Sequence, residues 1–308
     1  MNRLNRTALF ALLLFACPLA AVAQDSADAA ESELHARLGT LDWAVVALYA
    51  LGMLAIGFYY SRRATTSDEY YLGNRKMKPI MVGLSLFATL ISTISYLAVP
   101  GEIMAKGPVT MLYIAAIPIV YLVVGFLLIP HITRLPVTSA YELLESKFGR
   151  GVRLFGSAIF ILIRLVWMGL IVFISARIVV RAVGLEPDKI PYVVFLLGVV
   201  TVVYSSMGGL QAVVLTDVIQ SGILFGGALT CVIIVTVKMG GFGWFPTEWS
   251  PNWDTQPLFS FDPTVRVTVV GTILSTIIWW ICTAGSDQMA IQRYLATRDS
   301  RAARRAFL

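Results

Sequence analysis

Seven stretches of about 17–30 predominantly apolar residues divide this chain, and each falls in or above the length that crosses ~30 Å of hydrocarbon as a helix. They lie at about 41–60, 79–105, 109–130, 154–183, 190–206, 210–238 and 265–286. A backbone in lipid must satisfy its own N–H and C=O groups, so a chain built this way is confined to packed helices. The polar remainder is too small for a soluble domain. Only 14% of residues are charged and 57% are hydrophobic, against about 25% charged in soluble domains. Mean hydropathy is +0.77. The expected fold class is all-α integral membrane.

The connectors set the orientation. Segments 62–78, 134–153 and 293–305 hold 14 of the 24 Lys and Arg residues, and the alternate connectors are mainly acidic. Basic connectors stay on the cytoplasmic side, which places the start of the mature chain outside and residue 308 inside. This asymmetry accounts for most of the net charge of +6, so the basic balance does not point to nucleic acid. Residues 1–23 read as a signal peptide: Arg3 and Arg6, an apolar core, then Ala21-Val22-Ala23. A short extra membrane helix is the other reading. Residues 24–40 form a polar, acidic tail. Together these features predict a multi-pass protein of a bacterial-type inner membrane.

Polar groups inside apolar runs are costly and mark ion or solute paths by default. Asp217 lies about seven residues into the 210–238 run, roughly 10 Å along a helix. Taken alone it also fits a helix–helix hydrogen bond. Gly208-Gly209, just before it, permits a tight turn or a close helix approach. The 79–105 run is interrupted by Ser85, Thr89, Ser92, Thr93 and Ser95, then by Pro100-Gly101. It reads either as a locally unwound helix whose carbonyls and hydroxyls face ligands, or as a kinked packing helix. Arg164, expected near mid-membrane beside Trp167, has three readings: a grip on a solute carboxylate, an ion pair with Asp217, or bonds to neighbouring carbonyls. The Trp-, Pro- and Gly-rich 240–263 segment either anchors at the interface or packs over the mouth of a pathway. The three cysteines show no metal spacing and no disulfide framework. No hydrolytic constellation stands out, so an enzyme is not expected.

Three motifs carry a family resemblance. Tyr204 to Gln220, YSSMGGLQAVVLTDVIQ, resembles the signature of the sodium:solute symporter family. Asp287-Gln-x-x-x-Gln-Arg-Tyr-Leu295 and Thr138-Ser-x-Tyr-Glu-Leu-Leu-Glu145 are similar to further elements of the same family. The resemblance implies a LeuT-like inverted-repeat transporter core, present in part. In it 41–60 is an extra leading helix, 79–238 the first five-helix repeat, and 265–286 the opening helix of the second. It therefore implies further helices after residue 308. It also implies sodium as the coupling ion, no other cofactor, and a small organic solute and the lipid bilayer as partners. By resemblance the sodium ligands are the carbonyls of Ala88 and Ile91, with Asp217 in or near the site. Solute contacts are expected from Ser92, Ser95, Trp167, Thr283 and Ser286, with Arg164 as an added candidate. Sialic acid carriers place a hydroxyl, an amide and an arginine where this chain has Leu90, Ile114 and Trp167, which lowers sialic acid as the solute. The leading functional expectation is sodium-coupled symport by alternating access. The alternative is a transporter-like membrane sensor domain of a signalling protein.

Overall fold

A bilayer offers a peptide group no partner outside the chain, and helices meet that requirement along this sequence. The computed structural model describes residues 39–308 except 64, 65, 92, 135, 136, 138, 254–256, 263 and 266. The expected signal peptide, most of the 24–40 tail and Ser92 lie outside the described residues. In chain order the helices are α1 (Thr40–Ser61), α2 (Ser67–Leu72), α3 (Pro79–Leu90), α4 (Thr93–Lys106) and α5 (Pro108–Ile132). There follow α6 (Ala140–Phe148), α7 (Arg150–Val183), α8 (Ile190–Met207), α9 (Gly209–Lys238), α10 (Val269–Ser286), α11 (Gln288–Leu295) and α12 (Ser300–Phe307). Among the described residues the β-structure is a single parallel bridge, Met77 with Thr297.

Among the described residues, six helices are long and apolar enough to cross a membrane: α1, α5, α7, α8 with its leading turn from Pro187, α9 and α10. The stretch expected as one span over 79–105 is two helices. α3 stops at Leu90, the backbone turns extended at Ile91 (φ −100°, ψ 116°), and α4 starts at Thr93. α5 is irregular in another way. It opens as a 3₁₀ helix over Pro108–Ala116 and widens to a π-helix over Leu122–Leu128. Pro118 and Pro130 each remove a backbone donor within it, which disfavours an unbroken α ladder.

α3 is the hub. Its Val82 and Leu86 are buried with Val120, Val124 and Ile129 of α5, Ala284 of α10, Ala290 and Tyr294 of α11, and Ala303 and Ala306 of α12. α9 packs along another side of α3 and also touches α1 and α2. Small residues allow this crowding, because backbones come closer where side chains are short. The exposed flanks of α1, α7 and α8 carry Leu, Val, Ile and Phe, a surface suited to hydrocarbon rather than to water.

The Gly208-Gly209 pair serves as both a turn and a close approach. Gly209 sits at φ +61°, and a β-carbon there would stand 2.7 Å from the Tyr70 carbonyl oxygen. α2 docks on this junction, with Tyr70 Oη donating to the Ser206 carbonyl at 2.6 Å. The expected amphipathic element at 138–149 is α6, capped at its start by Ser139, whose Oγ accepts from the Glu142 N–H. In the 240–263 segment, Trp253 Nε1 donates to the Met104 carbonyl at 3.1 Å, and Trp244 Nε1 to Thr236 Oγ1 at 2.9 Å. Both indoles are therefore tied to helix ends, α4 and α9 respectively.

Candidate functional site

α9 meets α3 along one stripe. Asp217, Ser221 and Phe225 are four residues apart and share a helix face. Asp217 meets Ser85, Ser221 Oγ donates to the Leu84 carbonyl at 3.1 Å, and Phe225 stacks on Phe87 with ring centroids 4.7 Å apart. The polar end of that stripe is a three-residue cluster. Ser85 Oγ donates to Asp217 Oδ2 at 2.5 Å, Arg293 Nε donates to Ser85 Oγ at 2.7 Å, and Arg293 Nη2 donates to Asp217 Oδ2 at 3.0 Å. Arg293 Nη1 also donates to the Met289 carbonyl at 3.0 Å. Ser85 is fully buried and Arg293 is 5% exposed. Both hydrogen bonds to Asp217 fall on Oδ2, so among the described residues Oδ1 keeps its lone pairs unused.

Arg293 reaches this place because the 287–295 motif folds as a compact plug. Asp287 caps α11, its Oδ1 accepting from the Met289 N–H at 3.0 Å. Gln292 Nε2 donates to the Tyr71 carbonyl at 2.8 Å, and Tyr294 Oη donates to the Ala284 carbonyl at 2.9 Å. Leu295 is buried with Leu72, Ile132 and Ile291. Burial pushes the Tyr294 phenol well above its usual range, which keeps it a neutral donor.

Asp287 has a second role: its Oδ2 forms an ion pair with Arg164. The expected alternative, Arg164 paired with Asp217, is not made. Asp217 is taken by Arg293, and Arg164 lies on α7, which packs on α4, α6 and α8. α7 starts at Arg150 and runs 34 residues, about 51 Å, longer than a bilayer core. Arg164 is the fifteenth residue of this helix and meets Asp287, the residue that follows α10. Nearby, burial raises the Tyr141 phenol and the Arg164 guanidinium partly offsets it.

The sequence candidates fall into two groups. Asp217, Ala88 and Ile91 lie around α3. Ala88 is three residues on from Ser85, on the same side of the helix, and Ile91 is the residue where the ladder stops. The last-turn carbonyls of α3, that of Ala88 included, stand at a helix C-terminus, where partial negative charge accumulates. The others are spread over three helices. Ser95 is half-buried on α4 and Trp167 half-buried on α7, and these two helices pack together. Thr283 and Ser286 close α10. Ser286 Oγ donates to the Cys282 carbonyl at 2.6 Å, and the Thr283 carbonyl accepts from the Asp287 N–H at 3.3 Å. Sequence reasoning missed Ser85, Asp287 and Arg293 as partners of these groups. The signal available was the 287–295 motif, which joins an acid and an arginine at six-residue spacing directly after a span.

Residues 70–308 match the family model described as the sodium:solute symporter family. The chain is 29% identical over 293 residues to the sodium/sialic acid symporter SiaT of Proteus mirabilis strain HI4320, covering 90% of this chain and 55% of that protein. It is 32% identical over 262 residues to the sodium-coupled monocarboxylate transporter 1 of Xenopus laevis, covering 83% and 42%. It is 31% identical over 274 residues to the sodium-dependent multivitamin transporter of Oryctolagus cuniculus, covering 85% and 42%. The chain spans about half the length of the curated relatives it matches. Its fold is similar to a solved structure described as the substrate-bound outward-open state of a Na+-coupled sialic acid symporter. The TM-score is 0.71 at 28% identity, covering 87% of this chain and 56% of the other.

Proposed function

The chain belongs to the sodium:solute symporter family, and on that premise we propose that the complete protein is a sodium-coupled secondary active symporter importing a small organic solute by alternating access. The observation that carries this reading is that α3 both stops at Ile91 and, six residues earlier at Ser85, holds the Asp217 carboxylate. Sodium is a hard cation and takes oxygen ligands. The proposed ligands are the carbonyls of Ala88 and Ile91, with Asp217 supplying a balancing charge through Oδ1. The negative end of the α3 dipole favours a cation at the same place. Arg293 and Ser85 hold Oδ2, so the carboxylate keeps one oxygen fixed and one available.

Ser92, Ser95, Trp167, Thr283 and Ser286 are the proposed solute contacts. Arg164 is assigned to its ion pair with Asp287 rather than to the solute, because that pairing already engages its charge. The coupling ion brings its own drive. Inward sodium movement gains about 2.3 kcal/mol per charge per 100 mV from the membrane potential, in addition to its concentration gradient. In this reading the basic connectors face the cytoplasm, and no reaction on the solute is part of the cycle.

The test is uptake by the full-length protein in proteoliposomes under an inward sodium gradient. Labelled sialic acid, monocarboxylates, vitamins, sugars and amino acids form the panel, the first three because relatives are named for them. The expected result is accumulation of at least one compound that vanishes when choline replaces sodium. Accumulation indifferent to sodium would overturn the coupling. In the Asp217→Asn variant, sodium activation is expected to fall at least tenfold, the scale of about 1.4 kcal/mol of lost ion affinity. An unchanged sodium dependence would remove Asp217 from the site.

A further inference from the structure

Five cations surround one cavity of about 350 Å³ where α3 begins: Lys76, Lys78, Arg298, Arg301 and Arg305. The backbone fixes this arrangement. The Met77 N–H donates to the Ala296 carbonyl at 3.1 Å, which joins the strand-like approach to α3 with the segment leading to α12. α12 then buries Ala302, Ala303 and Ala306 and leaves Arg301 and Arg305 exposed on its opposite face. A β-carbon on Gly83 would stand 2.6 Å from the Ala306 carbonyl oxygen, so only glycine lets α12 lie this close to α3.

The charges are largely uncompensated. Asp299 is the carboxylate beside the cavity. Its Oδ2 pairs with Arg298 Nε at 3.2 Å, and its Oδ1 caps α12 by accepting from the Ala302 N–H at 2.7 Å. These hydrogen bonds, the Ala302 N–H foremost, hold the Asp299 carboxyl below its usual range, so it stays ionised. Lys76, Lys78, Arg301 and Arg305 have no ion pair among the described residues. Like charges held around one concavity repel, and an anion seated between them removes that cost. The depth narrows the choice further. Pro79 is the first residue of an apolar helix, so the cavity sits where a basic connector meets apolar chain, the position a bilayer headgroup would occupy.

We propose that this cavity is a binding site for a phosphate-bearing anion, supplied either by the headgroup of an anionic phospholipid or by a soluble phosphate. Arg301 and Arg305, one helical turn apart on α12, take the phosphate oxygens, and Lys76 and Lys78 close the site from the α3 side. The site shares no residue with the proposed sodium ligands, Ala88 and Ile91 at the far end of α3 and Asp217 on α9, or with the proposed solute contacts, Ser92 and those on α4, α7 and α10.

The test uses the full-length protein in nanodiscs of neutral phosphatidylcholine. A fluorescent phosphatidylglycerol is titrated in one arm and inorganic pyrophosphate in the other. Binding is expected to weaken roughly thirtyfold in the Arg301→Gln/Arg305→Gln variant, the scale set by two cations at an anionic layer. The Arg62→Gln/Arg63→Gln variant, which removes two cations stacked on Phe58 and Tyr59 outside the cavity, is expected to bind like the parent. This pattern in the lipid arm identifies a headgroup, and in the pyrophosphate arm a soluble phosphate. Binding of neither probe, or equal loss from both variant pairs, would overturn the proposal. Lys78→Gln, on the opposite wall, serves as the reporter if the double variant does not fold.

Discussion

Two residues on one short segment, Asp287 and Arg293, neutralise the charges that α7 and α9 carry toward the bundle. Each pair lies on different helices, so each also works as a tie between elements. Removing one partner of a buried pair leaves an uncompensated charge, which typically costs about 3–5 kcal/mol. Arg293→Gln is therefore expected to lower stability by about 3 kcal/mol or more, read as a loss of thermal stability in detergent. Ser85→Ala, which removes the hydroxyl linking the pair, should cost about 1–2 kcal/mol. The Arg164–Asp287 pair can be separated from this cluster by a double-mutant cycle. Arg164→Gln and Asp287→Asn are expected to show a coupling of about 0.5–3 kcal/mol. Additive losses would mean that the ion pair contributes nothing to the folded state.

At the scale of elements, two junctions decide the architecture. The break at Ile91 turns what the hydropathy profile presents as one span into α3 and α4. Its cause is legible as a run of Ser and Thr followed by Pro100-Gly101, residues that weaken a helix ladder and favour local bonds. The other junction is Gly208-Gly209. Gly209→Ala would need a left-handed backbone, costing about 1–2 kcal/mol, and would also push on the Tyr70 carbonyl. Gly222→Ala, farther along α9 where nothing lies within 4 Å, is the matched comparison. It is expected to be neutral or slightly stabilising, by up to about 1 kcal/mol. Equal thermal stability of the two variants would show that the α8–α9 turn is not held by Gly209.

At the scale of the whole molecule, α3 connects the proposed sodium ligands with the cationic cavity. It bears the Ala88 and Ile91 carbonyls, packs Ser85 against Asp217 and Arg293, and begins at the cationic cavity. Sodium bound there would stabilise the folded protein by linkage, about 2.7 kcal/mol when its concentration is about a hundred times the dissociation constant. The full-length protein is accordingly expected to unfold at higher temperature in sodium than in choline at equal ionic strength, and Asp217→Asn should abolish the difference. No sodium-specific shift in the parent protein would count against the site. The sequence by itself determined the helical membrane class, most helix positions and the family, because apolar length, connector charge and local motifs are properties of contiguous residues. Asp217 and the Gly208-Gly209 turn were legible for the same reason. Only the tertiary structure decided that Asp217 meets Arg293, that Arg164 meets Asp287, and that α12 turns its arginines onto the lysines before α3. Those partners are 76, 123 and more than 200 residues apart. Which charge neutralises which depends on how the helices pack, and the spacing of residues along one helix does not contain that information.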